Sequence, residues 1–377
     1  MALRHLEGFE GQREVTILSR LYATATGTIT TETGYRGSRS AVGSDNLLLR
    51  TVDLLDGAAD ENVWIVGWAM RLNTSVGLSS GATTFPYLSF RSAAGEQLRV
   101  EFIAANESKP GGNRYRLRVM RGATTLASSV ETFDAQLTDL AWTYLEFKAT
   151  IRTSTNGSFS AQFGTRRASA MPITWSAANT GINTANQGAD GADRIELSLT
   201  QAAVAAAIAV DDIYVCDGSG SVNNDFLGPI SIEAIDVSGN GTTVQWTVQG
   251  GAASLEDAWN EAATIQTADE DDKRVNAKDV GFIELATLAN PVDDRNTPII
   301  GTQMRITGKM EATGTRDVQF FYRKTTGSPA QVGTKIVTFS NTTLITHADT
   351  LEEDPNTAAP WVLADVDGLQ IGVELDA

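Results

Sequence analysis

Residues 211–228 read DDIYVCDGSGSVNNDFLG, and this stretch decides how the chain is divided. Its first part ends at Cys216 and has the pattern of a closing β-strand. Its second part is polar and rich in glycine and asparagine, which is typical of a joint between domains. We therefore predict a β-domain over residues 1–216, a linker over 217–228 and a second β-domain over 229–377.

The formal charge changes sharply at this boundary. Residues 1–216 hold 19 Lys and Arg against 21 Asp and Glu, a net of −2. The remaining residues hold 10 against 25, a net of −15, so nearly all of the −17 of the chain lies after Cys216. Two domains with such different charges are typical of a protein that docks on a partner through one face and exposes another face. The acidic balance argues against nucleic acid as a partner.

The composition supports two folded cores without covalent cross-links. The chain has 377 residues, of which 42% are hydrophobic, and a single cysteine. That length exceeds one ordinary core, and one cysteine excludes an internal disulfide framework. We interpret Cys216 as a small buried apolar residue. No apolar run approaches the ~20 residues that cross a bilayer, and the N-terminus resembles no secretion signal, so we expect synthesis in a cytoplasm and no membrane insertion.

Short alternating runs between turn-forming clusters predict an all-β protein made of two antiparallel β-sandwich domains. Residues 64–72 (WIVGWAMRL) predict a strand buried on both faces, with Trp64 and Trp68 in the core. We prefer a loop and short strand over a helix for residues 201–209. Ser254 resembles a helix N-cap, which predicts one short helix over 255–264. Further strands are expected at residues 97–103, 115–119, 145–151, 230–237 and 369–375.

The residues that catalysis would need are sparse. There are two histidines, His5 and His347, and none of the common zinc or nucleophile motifs. Glycoside hydrolysis requires two carboxylates at a set separation. Glu101 and Glu196 stand isolated among apolar neighbours. Asp211 and Asp212 are adjacent and should point to opposite faces. We therefore expect the chain not to be an enzyme.

Two groups of charged residues have a functional and a purely structural interpretation. Asp217, Asn223 and Asp225 offer oxygen ligands at spaced positions of the linker, loosely like a calcium loop, or they cap turns of a solvated hinge. Calcium is the one cofactor that this pattern suggests. A second group forms a basic ladder that could dock on an acidic partner, such as the second domain of a neighbouring copy, or could be a plain solvated strand face: Arg114, Arg116, Arg118 and Arg121.

Three aromatic residues outside the expected core are candidates for stacking on sugar rings. They are Trp175, Trp142 and Tyr87. Trp175 follows a proline in an expected loop, and Trp142 precedes an expected strand. The alternative interpretation for each is that its ring packs in the core or covers the core.

The chain resembles a group of tailed-bacteriophage virion proteins. The resemblance rests on residues 3–11 (LRHLEGFEG), 64–72, 142–151 (WTYLEFKATI), 211–228, 245–246 and 358–373 (AAPWVLADVDGLQIGV). It implies an N-terminal concanavalin A-like (laminin G-like) jelly roll followed by a second β-domain. It also implies a structural role in the virion, and it supplies no catalytic residues.

From the resemblance we expect a bacteriophage virion structural protein. The favoured placement is on the tail, as a tail-fibre, tail-tip or adaptor component that contacts a host-surface glycan. A capsid decoration or head-fibre protein is the alternative. A stand-alone glycan-binding or glycan-degrading protein is the alternative from another class. The expected partners are other virion proteins and further copies of the chain, with a trimer favoured.

Overall fold

The structure is a computed structural model of the chain. It describes residues 3–9, 22–26, 28–33, 39–43, 48–51, 53–55, 57–72, 84–109, 112–130, 142–165, 168–198, 208–249, 254, 274–277, 279–289, 298–310, 314–324, 332–340, 342 and 344–376. Internal contacts divide these residues into two compact units. The first unit runs to Ile232 and the second continues from Glu233, so residues 217–228 lie within the first unit.

The first unit consists of antiparallel strands in two sheets. Its strands are β1 (Leu3–Glu7), β2 (Tyr22–Thr26), β3 (Thr28–Thr33), β4 (Arg39–Gly43), β5 (Leu48–Thr51), β6 (Val63–Leu72), β7 (Thr84–Ser92), β8 (Gly95–Lys109), β9 (Gly112–Arg121), β10 (Thr124–Ser128), β11 (Thr143–Thr150), β12 (Gly157–Thr165), β13 (Ala168–Pro172), β14 (Thr180–Ile182), β15 (Arg194–Ser198) and β16 (Ile208–Asp217). Sheet A has the order β13-β12-β11-β6-β16-β4-β3, with β1 beside β16 and β14 beside β12. Sheet B has the order β10-β9-β8-β7-β15-β5-β2.

The two sheets pack face to face around an aromatic core. Phe90 of sheet B lies 5.9 Å from Phe147 of sheet A, measured between ring centroids, and Phe147 stacks on Phe159 at 6.2 Å. Trp64 and Trp68 of β6 are buried, which confirms their predicted place in the core. The all-β class and the antiparallel sandwich are thus confirmed for this unit.

The outer face of sheet A is apolar and covered, although the alternating pattern of its strands predicts a solvated face. Its buried cluster contains Leu3, Leu6, Ile65, Ala69, Tyr144, Tyr214 and Cys216. Phe226, Leu227, Ile230 and Ile232 pack against this cluster. The predicted strand over residues 230–237 is therefore wrong for 230–236, because Ile230 and Ile232 cover sheet A while Ile235 packs against the core of the second unit. Cys216 is fully buried, as predicted.

The second unit contains β17 (Val237–Val244), β18 (Thr247–Gln249), β19 (Arg274–Asn276), β20 (Ile283–Leu288), β21 (Thr302–Gly308), β22 (Arg316–Lys324), β23 (Val332–Phe339), β24 (Ile345–Leu351), β25 (Glu353–Asp354), β26 (Ala359–Pro360), the helix α1 (Leu363–Asp367) and β27 (Leu369–Leu375). Its main sheet has the order β17-β20-β27-β22-β23. β27 pairs on both sides, which confirms the predicted strand over 369–375. The core includes Phe320, Tyr322, Trp361 and Val373. The predicted helix over 255–264 lies outside the described residues.

Candidate functional site

Among the residues that the structure describes, the outer face of sheet B holds a concentration of paired arginine and glutamate side chains. Residues such as Leu88, Phe90, Leu98 and Val100 are buried in the core, so the alternate residues of the same strands face outwards. We call this face the Arg–Glu surface. It comprises Arg50, Ser89, Arg91, Glu96, Arg99, Glu101, Arg118 and Glu196.

Strand register aligns these residues in rows across the sheet. In one row Arg99 of β8 lies opposite Ser89 of β7, which lies opposite Glu196 of β15, which lies opposite Arg50 of β5. The next row runs from Arg118 of β9 through Glu101, Tyr87 and Ser198. Directly opposed residues share a face and lie within side-chain reach. The charges therefore meet across strands that are far apart in sequence.

Glu101 is held between two arginines. Its Oε1 accepts a hydrogen bond from Arg99 Nε at 2.6 Å, and its Oε2 accepts one from Arg118 Nε at 2.9 Å. The Glu101 side chain is 7% exposed, whereas the two arginines are 23% and 29% exposed. The carboxylate thus lies beneath the guanidinium groups and fixes their orientation.

Arg99 makes a second contact, with Glu96 Oε1, at 2.6 Å. Burial lowers the pKa of Arg99, but the neighbouring Glu96 and Glu101 outweigh burial and raise this pKa above its usual value.

Glu196 has the same arrangement on the other side of Ser89. Its Oε2 accepts a hydrogen bond from Arg50 Nε at 2.5 Å, and Arg91 Nη1 lies 3.5 Å from its Oε1. The Glu196 side chain is only 3% exposed. The prediction that Glu101 and Glu196 stand isolated among apolar neighbours is therefore wrong, because their partners come from adjacent strands and not from adjacent residues.

Ser89 lies at the centre of the Arg–Glu surface. It is fully buried, and its hydroxyl has no hydrogen-bond partner among the residues that the structure describes. A buried hydroxyl without a partner is uncommon in folded proteins. It provides an additional donor or acceptor between Arg99 and Glu196.

The predicted arginine ladder is interrupted by these pairings. Arg118 belongs to the Arg–Glu surface and is bound to Glu101. Arg116 is half-buried one step further along β9, and Arg121 Nη1 donates to the Asn183 carbonyl at 3.1 Å. Arg114 lies opposite Ala105 in register, and its side chain is outside the described residues.

The three aromatic candidates lie in three different places. Tyr87 occupies the register position opposite Glu101 in the pairing of β7 with β8, and its side chain is outside the described residues. Trp142 packs against the outer cluster of sheet A, with the Arg71 Cζ 5.0 Å from its ring centroid. Trp175 meets Phe159 edge-on at 4.9 Å. Tyr87 and Arg118 are therefore both register partners of Glu101, whereas neither tryptophan belongs to this row.

The calcium candidates of the linker make separate contacts. Asp217 is fully buried, and its carboxylate accepts hydrogen bonds from Arg4 Nε at 2.5 Å and from the Ser219 amide at 2.8 Å. Asp225 pairs with Lys148 at 3.2 Å, and Asn223 has a φ of 55°. Within the described ranges, no three His, Cys, Asp or Glu residues are grouped so as to hold a metal ion.

Neither histidine is among the residues that define the Arg–Glu surface, and His5 belongs to the first unit and His347 to the second. His5 is buried, with its Nε2 2.9 Å from the hydroxyl of Tyr22. His347 contacts the ring of Phe339 edge-on at 4.9 Å. In the described part of the chain, no helix is long and apolar enough to cross a membrane.

Comparison with known proteins gives similarity at the level of fold. No protein-family profile matches the sequence, and a search of curated proteins also returned no match. An endo-β-1,4-glucuronan lyase from the fungus Trichoderma reesei is 10% identical, with a TM-score of 0.35 over 57% of this chain and 95% of that one. An alginate lyase from Chlorella virus is 8% identical, with a TM-score of 0.32 over 54% and 96%. Lectin I-B4 from Griffonia simplicifolia is 10% identical, with a TM-score of 0.29 over 56% and 91%.

The prediction that the chain is not an enzyme is corrected by these comparisons, because polysaccharide lyases are among the solved structures to which the chain is similar.

Proposed function

We propose that the Arg–Glu surface of the first unit binds an acidic polysaccharide. The observation that carries this proposal is the position of Glu101 beneath Arg99 and Arg118. A guanidinium has five N–H donors in a fixed plane, so one buried carboxylate leaves donors for a ligand. Planar pairs of N–H groups suit carboxylate and sulfate groups. The Arg50 and Arg91 pair on Glu196 supplies a second such group.

The separation of the two arginine pairs favours a polymer over a single sugar. Glu101 and Glu196 lie on β8 and β15, with β7 between them. Two strand spacings amount to about 10 Å. A ligand that meets both pairs at their centres therefore carries acidic groups about that far apart, as a polyuronate does and a monosaccharide does not.

Binding to a panel of glycans tests this proposal. Alginate and a glucuronan are the acidic probes, and neutral dextran is the control. We expect the wild-type protein to bind an acidic probe, with affinity that falls as salt is added. The double change Arg99→Ala and Arg118→Ala should weaken binding by about tenfold or more, because each charge-assisted hydrogen bond contributes about 1.5–3 kcal/mol.

Arg152→Ala is the matched control, because Arg152 is an exposed arginine that pairs with Asp190 outside the Arg–Glu surface. It should leave binding unchanged. Failure of the wild-type protein to bind any acidic glycan, or equal losses in both variants, would contradict the proposal. The same mixtures test for cleavage, since elimination creates unsaturated chain ends that absorb ultraviolet light. If cleavage occurs, Tyr87→Phe tests whether the hydroxyl of Tyr87 takes part.

We further propose that the protein presents this surface on a tailed-bacteriophage particle, as a tail-associated component that assembles in several copies, with a trimer favoured. Support comes from the sequence resemblance over residues 211–228 and 358–373. Mass spectrometry of purified particles should find the chain in the virion, and its absence would contradict the virion role. A particle reconstruction would distinguish the tail from the alternative placement on the capsid.

A further inference from the structure

The segment that follows β16 is tied down on the outer face of sheet A. We call residues 226–232 the strap. The strap belongs to no strand in the described chain, so no ladder of backbone hydrogen bonds holds it. It ends at Ile232, the last residue of the first unit.

Three backbone amides of the strap donate to side chains of sheet A. Gly228 N donates to Glu146 Oε1 at 2.8 Å, and Leu227 N donates to the Tyr214 hydroxyl at 3.2 Å. Ile232 N donates to Asp212 Oδ1 at 2.8 Å. Individual side chains of sheet A therefore contribute to the attachment.

Glu146 connects these contacts. It is 2% exposed, and its Oε1 accepts the Tyr214 hydroxyl as well as Gly228 N. Its Oε2 accepts a hydrogen bond from Gln162 Nε2 at 2.5 Å. A buried carboxylate is stable only when its oxygens are satisfied, so the closed strap and the buried Glu146 support each other.

The underside of the strap is apolar. Phe226, Leu227, Ile230 and Ile232 are partly buried against the cluster that contains Cys216. Removal of the strap would expose that cluster to water, which opposes opening in proportion to the apolar area.

We propose that the strap is a releasable cover that opens as a unit while every strand of sheet A stays paired, and that Glu146 holds it closed. Opening breaks side-chain contacts and no strand pairing, so it requires less free energy than unfolding of the sandwich. The chain enters the second unit directly after the strap. Tension applied to the chain after Ile232 would therefore act on the strap first, and release of the strap would uncover an apolar surface.

The single cysteine of the chain provides a natural reporter of opening. Cys216 is fully buried and lies in the cluster under the strap. We expect a soluble aromatic disulfide reagent to modify Cys216 at a rate that exceeds the rate of global unfolding. Glu146→Ala should raise this rate by about tenfold or more, which corresponds to the loss of one charge-assisted hydrogen bond.

Hydrogen exchange locates the opening. In Glu146→Ala the amides of Leu227, Gly228 and Ile232 should exchange faster, whereas amides of β11 and β6 should keep their protection. Ser158→Ala is the matched control, because it removes a hydrogen bond to Thr150 on the same strand pair, away from the strap. It should change neither the modification of Cys216 nor exchange in the strap.

A milder variant covers the case in which Glu146→Ala does not fold. Tyr214→Phe keeps the ring and removes only the hydroxyl that Leu227 N and Glu146 share. It should accelerate strap exchange in the same residues, to a smaller extent. If strap amides and Cys216 react only together with the amides of β11 in the wild type and in every folded variant, the strap is part of the cooperative core and the proposal is wrong.

Discussion

The ring of Tyr214 lies directly across Gly67, so close that a Cβ atom at position 67 would stand 2.0 Å from Cε1 of that ring. The two residues are also opposed in the register of β16 and β6. Because Gly67 has no side chain, the ring of Tyr214 can occupy the space above it. Tyr214 in turn contacts Glu146 and the strap.

We therefore predict that Gly67→Ala destabilises the first unit by about 1–3 kcal/mol, the usual cost of an overpacked site. Chemical denaturation measures the change, and Cys216 modification should accelerate with it as Tyr214 is displaced. Gly239→Ala is the control, because its nearest contact would be an ordinary 3.4 Å to Thr287 Oγ1. An unchanged denaturation midpoint in Gly67→Ala would contradict the steric argument.

Substitution of Trp175 tests whether this residue contributes to packing and not to ligand binding. Its ring covers Phe159 edge-on, so Trp175→Ala should lower the free energy of unfolding by about 2 kcal/mol, less than for a fully buried aromatic residue. Binding of acidic polysaccharide should stay at the wild-type level. Trp175→Phe, which keeps an aromatic ring, should recover much of the stability. A selective loss of glycan binding in Trp175→Ala would instead place a sugar on this tryptophan.

Lys324 and Asp354 should make the second unit sensitive to acid. Burial raises the pKa of Asp354, but hydrogen bonds from Lys324, Asn356 and Thr357 outweigh burial and lower this pKa below its usual value. A carboxyl group with a lowered folded-state pKa contributes stability that is complete above its unfolded pKa of about 3.9 and is lost as the pH falls through the folded value. The second unit should therefore lose stability below about pH 4.

Lys324→Met checks this prediction. Lys324 Nζ lies 2.5 Å from Asp354 and 2.6 Å from Asp365, so the variant should be less stable at neutral pH by about 1–3 kcal/mol. Because Asp354 loses its charged partner, the further loss on acidification should be smaller than in the wild type. Hydrogen exchange in β22 and β27 as a function of pH measures both effects. An identical pH profile in the two proteins would exclude the ion pair as the cause.

Glu284 should have the opposite effect on how the stability of the second unit depends on pH. Burial raises its pKa, more than the hydrogen bonds from the amides of Trp246 and Gln245 lower it. The folded state then holds the proton more tightly than the unfolded state, so this group reduces stability as the pH rises from about 4.3, the unfolded pKa, through the higher folded value. Glu284→Gln should remove that loss and leave the second unit at least as stable as the wild type at pH 7.

Denaturation of Glu284→Gln at several pH values provides the measurement. Glu353→Gln is the control, because Glu353 is exposed, and we expect it to keep the wild-type pH dependence in this range. If Glu284→Gln is clearly less stable at pH 7, the hydrogen bonds of the ionised carboxylate stabilise the second unit by more than its burial destabilises it, and the prediction is wrong.

The sequence predicts the elements that depend on local alternation. β9, β11 and β27 follow from their patterns, and the buried positions of Trp64 and Trp68 follow from one apolar run. The Arg–Glu surface could not be predicted in this way. Glu196 and Arg50 are neighbours only because β15 pairs with β5, and strand order is a property of the whole sandwich.

The strap is a second example of this limit. The polar residues after Cys216 correctly indicate the end of a strand, but they suggest a solvated linker. The contact that ties the segment down is made by Glu146, on a strand far earlier in the sequence. A lone glutamate in an alternating strand gives no local sign that its carboxylate will accept a backbone amide from a distant segment.

The position of β16 has a consequence for how the first unit forms. This strand separates β6 from β1 and β4, so sheet A stays open along β6 until residues 208–217 have been synthesised and have docked. Contacts between such distant segments make folding slow, and an unpaired strand edge invites pairing with another chain in the meantime. The yield of native protein should therefore depend more on temperature and chain concentration during folding than on the stability finally reached.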